Sequence, residues 1–240
     1  MTPGPSLAHG LAWAGDGAAH LRGLMTRMGD EAFRAPSALP GWSRAHVLTH
    51  IARNADGMIN LLTWARTGVP TPAYASVEQR NADIEAGAGR TPAEIRADVI
   101  ESSDRLAQVV RAMPAQAWSA RVRNVQGVEI AAVDIPWLRA REMWIHAVDL
   151  DVGASFADLP APMLDALMAD ATRTVGAKPD CPSLRLRATD RDAAWVLGDG
   201  SGTEVSGRVA ELAAWLMGRS AGKVLRTTEG TRPPALPRWL

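Results

Sequence analysis

Glu142 and His146 stand four residues apart in the stretch RAREMWIHAVDLDVG, residues 139–153. On a helix that spacing puts a carboxylate and an imidazole one turn apart on the same side. Such a pair can hold one cation, but two ligands do not complete a zinc site. Catalytic zinc usually takes three protein ligands and keeps a fourth position for water or substrate. The third ligand must come from elsewhere in the chain. The stretch HVLTH offers His46 and His50, again four apart, and spacing alone does not choose between them.

These residues need helices to position them. No Pro or Gly interrupts residues 139–150, and Trp137, Met143, Trp144 and Val148 supply apolar surface. The spacing therefore predicts a helix that starts near Asp134, with Pro136 in its first turn. Ser43 is a suitable N-cap for a second helix running to about Thr67. That helix would bury Val47, Leu48, Ile51, Ala55, Met58, Ile59 and Leu62, with His46, His50 and Asn54 in a line beside that face. Leu7, Leu11, Ala14, Ala18, Leu21, Met25 and Met28 mark a helix over roughly 6–29. Thr91, Pro92 and Glu94 open another with a capping box. Residues 68–90 are rich in Gly and Pro and read as a long connection, and 114–133 as irregular or extended. Four helices over residues 1–151 read as a bundle, a fold that builds metal sites from inward side chains on facing helices.

Beyond a linker at 152–162 the pattern changes. A helix over 163–175 is followed by SLRLRA (183–188), which alternates as a half-buried strand does. AAWVL (193–197) and TEVSG (203–207), joined by GDGSG, read as a hairpin. A helix over 208–217, a short strand at 224–228 and an extended, proline-rich tail complete a small α+β domain over 152–240. The expected fold class is thus α+β with two domains, a four-helix metal-binding bundle first.

Composition narrows the function. The chain has 240 residues, 47% apolar and 22% charged, with 26 basic and 26 acidic side chains. A formal net charge of zero gives no basic field for nucleic acid or an anionic membrane. No apolar run reaches membrane-spanning length, and MTPGPSLAHG lacks the basic and apolar regions of a signal peptide. The lone cysteine, Cys181, excludes an internal disulfide. A reducing cytoplasm is expected. Cys181 precedes Pro182 at the start of a strand and reads as structural rather than nucleophilic.

With these motifs placed, the chain resembles the mycothiol-dependent maleylpyruvate isomerase family. The matching stretches are GWSRAHVLTHIARNAD (41–56), WARTGVPTPAYASVEQRNADI (64–84), REMWIHAVDL (141–150), MGRSAG (217–222) and PRWL (237–240). They run in collinear order along the whole chain. The resemblance implies a DinB-like four-helix bundle followed by a small α+β domain. It implies zinc held by His50, Glu142 and His146, with His46 outside the ligand set, and a catalytic Arg219. It implies mycothiol as the thiol cosubstrate in the cis–trans isomerisation of maleylpyruvate to fumarylpyruvate, a step of gentisate-type aromatic catabolism.

That chemistry suits the residues. A cis double bond rotates only when its π character is removed, which addition of a thiolate achieves. The thiol must be external, and a thiol coordinated to zinc is deprotonated. The substrate carries two carboxylates, which a guanidinium can grip. Arg219 is the first candidate and Arg80 a second. Asn54 and Asp149 are candidates to orient the ligand histidines. Two other readings fit the metal motif: a mycothiol S-transferase of the same superfamily, and a non-catalytic, metal-stabilised binding protein.

Overall fold

The computed structural model describes residues 4–239; Met1–Pro3 and Leu240, the last residue of the PRWL match, lie outside it. The chain divides into two compact units, Met1–Ala154 and Ser155–Leu240.

The first unit is a four-helix bundle with one added short helix. Its helices are α1 (Leu7–Arg27), α2 (Arg44–Thr67), α3 (Val77–Ala88), α4 (Pro92–Arg111) and α5 (Ile135–Asp149). α1 lies along α5, and α2 along α4, with α2 also packed on α5. The bundle interior is closed by Leu21, Leu48, Ile51, Leu62, Met143 and Leu150, each at most 1% exposed. Burying one such side chain contributes about 1.5–3 kcal/mol. Trp144 Nε1 donates to the Trp13 carbonyl at 2.9 Å and ties α5 to α1.

Caps set the helix starts. The Ser43 hydroxyl accepts from the His46 amide while His46 Nδ1 accepts from the Ser43 amide. Thr91 and Glu94 form the same reciprocal pair at α4. The 68–90 connection departs from expectation, because α3 forms within it. Ser76 caps it, accepting from the Gln79 amide, and no proline falls between Val77 and Ala88. Only Ile84 and Ala88 are buried on α3. So thin an apolar stripe leaves little periodic signal in the sequence. Residues 114–133 hold a one-turn 3-10 helix and a small hairpin, β1 (Arg121–Arg123) with β2 (Glu129–Ala131).

The second unit packs α6 (Ala161–Gly176) and α7 (Val209–Leu216) on a four-stranded sheet. Its strands are β3 (Leu184–Ala188), β4 (Ala194–Leu197), β5 (Glu204–Gly207) and β6 (Arg226–Thr227), in the order β4-β3-β5-β6. β3 alternates buried and exposed along its length. The expected hairpin between β4 and β5 does not form. β4 pairs antiparallel with β3, Leu186 opposite Trp195, and β5 pairs parallel with β3 on its other side, Leu186 opposite Val205. The GDGSG loop is a crossover past the start of β3. A Cβ on Gly202 would lie 1.9 Å from the Ser183 carbonyl oxygen, so this glycine serves close backbone approach to β3.

Candidate metal centre

His50 lies in the first third of α2, Glu142 at the middle of α5 and His146 one turn further on. Packing α2 on α5 brings three donor atoms together. His50 Nε2 lies 2.9 Å from Glu142 Oε2 and 3.1 Å from His146 Nε2. His146 Nε2 lies 3.3 Å from Glu142 Oε2. The imidazole rings meet edge to face, 4.7 Å between centroids.

The triangle fits a cation. Zinc with ligands at about 2.0–2.1 Å in a tetrahedron separates them by roughly 3.3 Å, close to the three distances here. The donor set is right for zinc as well, since one carboxylate and two neutral imidazoles leave a bound divalent ion with residual positive charge. Among the described residues the cluster offers three donors, whereas structural zinc is normally closed by four. His50 is nearly closed off, with 7% of its side chain exposed, but Glu142 keeps 27% and His146 14%. The triad therefore opens on the α5 side.

Neighbouring groups set the protons. His146 Nδ1 donates to Asp149 Oδ2 at 2.9 Å, and the Asp149 side chain is fully buried. That bond fixes the Nδ1 proton, so Nε2 is the atom that faces the other two ligands and is the lone-pair nitrogen of the neutral ring, the arrangement common to metal-binding histidines. Burial works against a charged His146, but Asp149 and Glu142 override it and push its pKa up to about 9. For His50 burial dominates and lowers the pKa, with His146 and Arg80 adding to the effect against Glu142. Burial would raise Glu142, but hydrogen bonds from His146 and His50 outweigh it and hold the carboxyl well below its ordinary range.

His46 stands apart from this cluster. Its Nδ1 is engaged by Ser43 and its Nε2 donates to Glu85 Oε2 at 3.1 Å. Both ring nitrogens are used in holding the helix start and α3.

The other candidates occupy varied positions. Arg80, on α3, donates from Nη2 to His50 Nδ1 at 3.0 Å, and its guanidinium lies over the Tyr74 ring. Trp42 stands beside both histidines, 5.7 Å from His50 and 6.2 Å from His46 between ring centroids. Asn54 does not touch a ligand histidine; its Oδ1 accepts from Arg139 Nη1 at 2.7 Å. Arg219 lies in the second unit, three residues past the end of α7. There Gly218, at φ +73°, donates to the Trp215 carbonyl and the Arg219 amide to the Ala214 carbonyl, which fixes the backbone at the helix end. Arg219 Nη1 also donates to the Met217 carbonyl at 2.9 Å.

Sequence reasoning did not assign three residues around the triad: Trp42, Tyr74 and Arg139. The first two sit in loops, where no periodicity marks them. Arg139 had a signal, a charged residue between the apolar Trp137-Leu138 and Ala140. Asp149, a candidate from the sequence to orient a ligand histidine, does bond His146; its place three residues later is the spacing that reaches Nδ1.

The four-helix bundle of the first unit places it in the DinB-like class of folds. YfiT from Bacillus subtilis, described as having an unusual four-helix bundle topology, shares this fold at 15% identity. The match covers 63% of this chain and 90% of that one, with a TM-score of 0.52. Residues 14–151 match the model of the mycothiol maleylpyruvate isomerase N-terminal domain. The crystal structure of the mycothiol-dependent maleylpyruvate isomerase is 33% identical, covers 98% of both chains and superposes with a TM-score of 0.90. That of a histidine-to-alanine mutant enzyme is 32% identical over the same coverage, with a TM-score of 0.91. The chain belongs to the mycothiol-dependent maleylpyruvate isomerase family. No curated protein matches it. No helix among the described residues is long and apolar enough to cross a membrane.

Proposed function

We propose that this protein is a zinc- and mycothiol-dependent cis–trans isomerase that converts maleylpyruvate to fumarylpyruvate. The observation that carries the reading is the convergence of His50 Nε2, Glu142 Oε2 and His146 Nε2 within 3.3 Å, open on one side. It occurs in a chain that matches isomerase structures over 98% of its length. His50, Glu142 and His146 would hold the zinc, which when bound supplies the positive charge that keeps an external thiol as its thiolate.

The chain's own residues then have separate tasks. Asp149 fixes the His146 ring and its proton. Trp42 and the buried α2 face limit water around His50, while the exposed edge of Glu142 and His146 admits the reactants. The substrate's conjugated double bond accepts the thiolate at one carbon and becomes a single bond. It turns, and expulsion of the same thiolate restores the alkene in the trans form. The thiol is regenerated and no redox equivalent is consumed. Addition places negative charge on the oxygen of the adjoining ketone, and the substrate brings two carboxylates. Arg219 is assigned to grip one of these anionic groups, and Arg80, whose Nη2 donates to His50 Nδ1, is the second candidate. The setting is the cytoplasm, and the step belongs to gentisate-type catabolism.

The test is to mix zinc-loaded protein with maleylpyruvate, with and without mycothiol, and follow the product. Fumarylpyruvate formed only with the thiol, and the thiol recovered unchanged, supports the reading. A stable thiol adduct as product makes the protein an S-transferase. No turnover of any kind, with zinc bound, makes it a metal-stabilised binding protein.

A further inference from the structure

Within the bundle α1 leans on α5 and α4 leans on α2, so the seam between α1 and α4 is the least closely packed of its faces. A groove of about 340 Å³ opens there, bounded by α1, α4 and the start of α5. That volume lies at the low end of small-molecule sites, roughly 300–1,000 Å³. Its walls are aliphatic, from Leu11, Ala14 and Ala18 on α1 to Leu106 and Val110 on α4. Arg139 also lines it, a charged side chain in a residue only 4% exposed.

Arg139 is held in place but not neutralised by contact. Nη1 donates to the Ile51 carbonyl at 2.9 Å and to Asn54 Oδ1 at 2.7 Å; Nη2 donates to Ser103 Oγ at 3.3 Å. A guanidinium has five N–H bonds, and these three go to neutral acceptors. No residue lining the groove is acidic, and a second cation, Arg111, stands on the α4 side. Burial lowers the Arg139 pKa to about 10, which leaves it cationic at neutral pH. A buried cation without a contacting anion is costly, and an anionic head group with its own apolar body would relieve that cost.

We infer that the α1/α4 groove is a second binding site, distinct from the metal centre, for a molecule with an aliphatic body and a single carboxylate head. The head meets Arg139 and Ser103, and the body lies between Leu11, Ala14, Leu106 and Val110. Arg139 precedes Glu142 by one helical turn on α5, so the two sites share a helix while the groove takes its walls from α1 and α4.

Decanoate and decanol are the probes, titrated calorimetrically into the zinc-loaded full chain. Decanoate is expected to bind one per chain, and decanol roughly tenfold or more weaker, because it lacks the charge-assisted bonds. Arg139→Met should abolish the preference for the acid. That change also removes three structural hydrogen bonds, so Ala14→Phe provides a second variant. It fills the groove from the α1 side without touching the bonds of Arg139 and should abolish decanoate binding with zinc content intact. Failure of decanoate to bind, equal binding of the alcohol, or binding that survives Ala14→Phe would each overturn the inference. The last outcome would place the acid elsewhere, the metal included.

Discussion

The imidazole of His146 and the carboxylate of Asp149 are joined, Nδ1 to Oδ2, across 2.9 Å inside the bundle, and Asp149 has no exposed side-chain surface. The bond decides which nitrogen of His146 faces Glu142 and His50. Replacing Asp149 with Asn keeps the size but allows the amide to present its NH₂ group and favour the wrong tautomer. Asp149→Asn is expected to weaken zinc binding by roughly 10–100-fold, read by chelator competition, with helical circular dichroism unchanged. Wild-type affinity would show that Asp149 is only a buried neighbour.

The same bond sets a pH dependence. The His146 pKa is pushed up to about 9 from an ordinary 6.5, so below about 9 a metal must displace a proton from it. His50 is lowered and Glu142 stays ionised, so neither contributes a second proton near neutrality. Apparent zinc affinity should therefore rise about tenfold per pH unit up to about 9 and then level off. Stability of chelator-treated protein should run the other way. A raised folded-state pKa stabilises fully below 6.5, and that contribution is lost as pH rises through about 9. Calorimetric titration and thermal unfolding across that range test both signs. A zinc affinity flat below pH 9 would mean that His146 is neutral throughout.

How much of this was legible in the sequence depended on range. The helix carrying Glu142 and His146 could be read, because its spacing and caps are local. So could the α2 face and the Ser43 cap. The choice between His46 and His50 was not legible from spacing, because both repeat every four residues and only the packing of α2 on α5 separates them. α3 escaped because it buries two side chains. The β4–β5 pairing was misread because GDGSG carries the composition of a tight turn, while strand partnership depends on the distant Ser183.

That misreading yields its own prediction. The Gly202 Cα passes so close to Ser183 that an added Cβ would lie 1.9 Å from its carbonyl oxygen, a backbone atom that cannot turn aside. Gly202→Ala should destabilise the second unit by about 1–3 kcal/mol. Gly230, at φ +69° with open space around it, provides the comparison for a purely conformational cost. Denaturant unfolding of the two variants separates overpacking from backbone strain. Equal losses would argue that the crossover loop relaxes.

Arg219 is proposed to bind substrate, not metal, and a charge-conserving change distinguishes the two. Lysine keeps the positive charge but loses the planar fork that grips a carboxylate at two points. Arg219→Lys should retain stoichiometric zinc and its fold while turnover falls roughly 10²–10³-fold, as loss of one anion-stabilising donor does elsewhere. Steady-state kinetics and metal analysis on the same preparation check it. Near-wild-type turnover in Arg219→Ala would remove Arg219 from the site.

Arg80 presents the opposite case, a cation whose present bond competes with the metal. A guanidinium can only donate, so its 3.0 Å contact makes His50 Nδ1 the acceptor and places the ring proton on Nε2. A metal on Nε2 requires that proton on Nδ1, where it would face the guanidinium donor to donor. The two bonds exclude one another, and Arg80 must turn aside as the cation enters. Once turned, its Nη2 is available to a substrate carboxylate while Nη1 can keep its bond to Asn81 Oδ1. Arg80→Ala removes both the competing hydrogen bond, worth about 1 kcal/mol net, and a like charge beside the ion. Zinc affinity should therefore rise by about threefold to tenfold, while KM for the dicarboxylate increases. A tighter metal with a weaker substrate is a combination that simple loss of packing would not produce. Unchanged zinc affinity in Arg80→Ala would show that the guanidinium never holds the His50 tautomer.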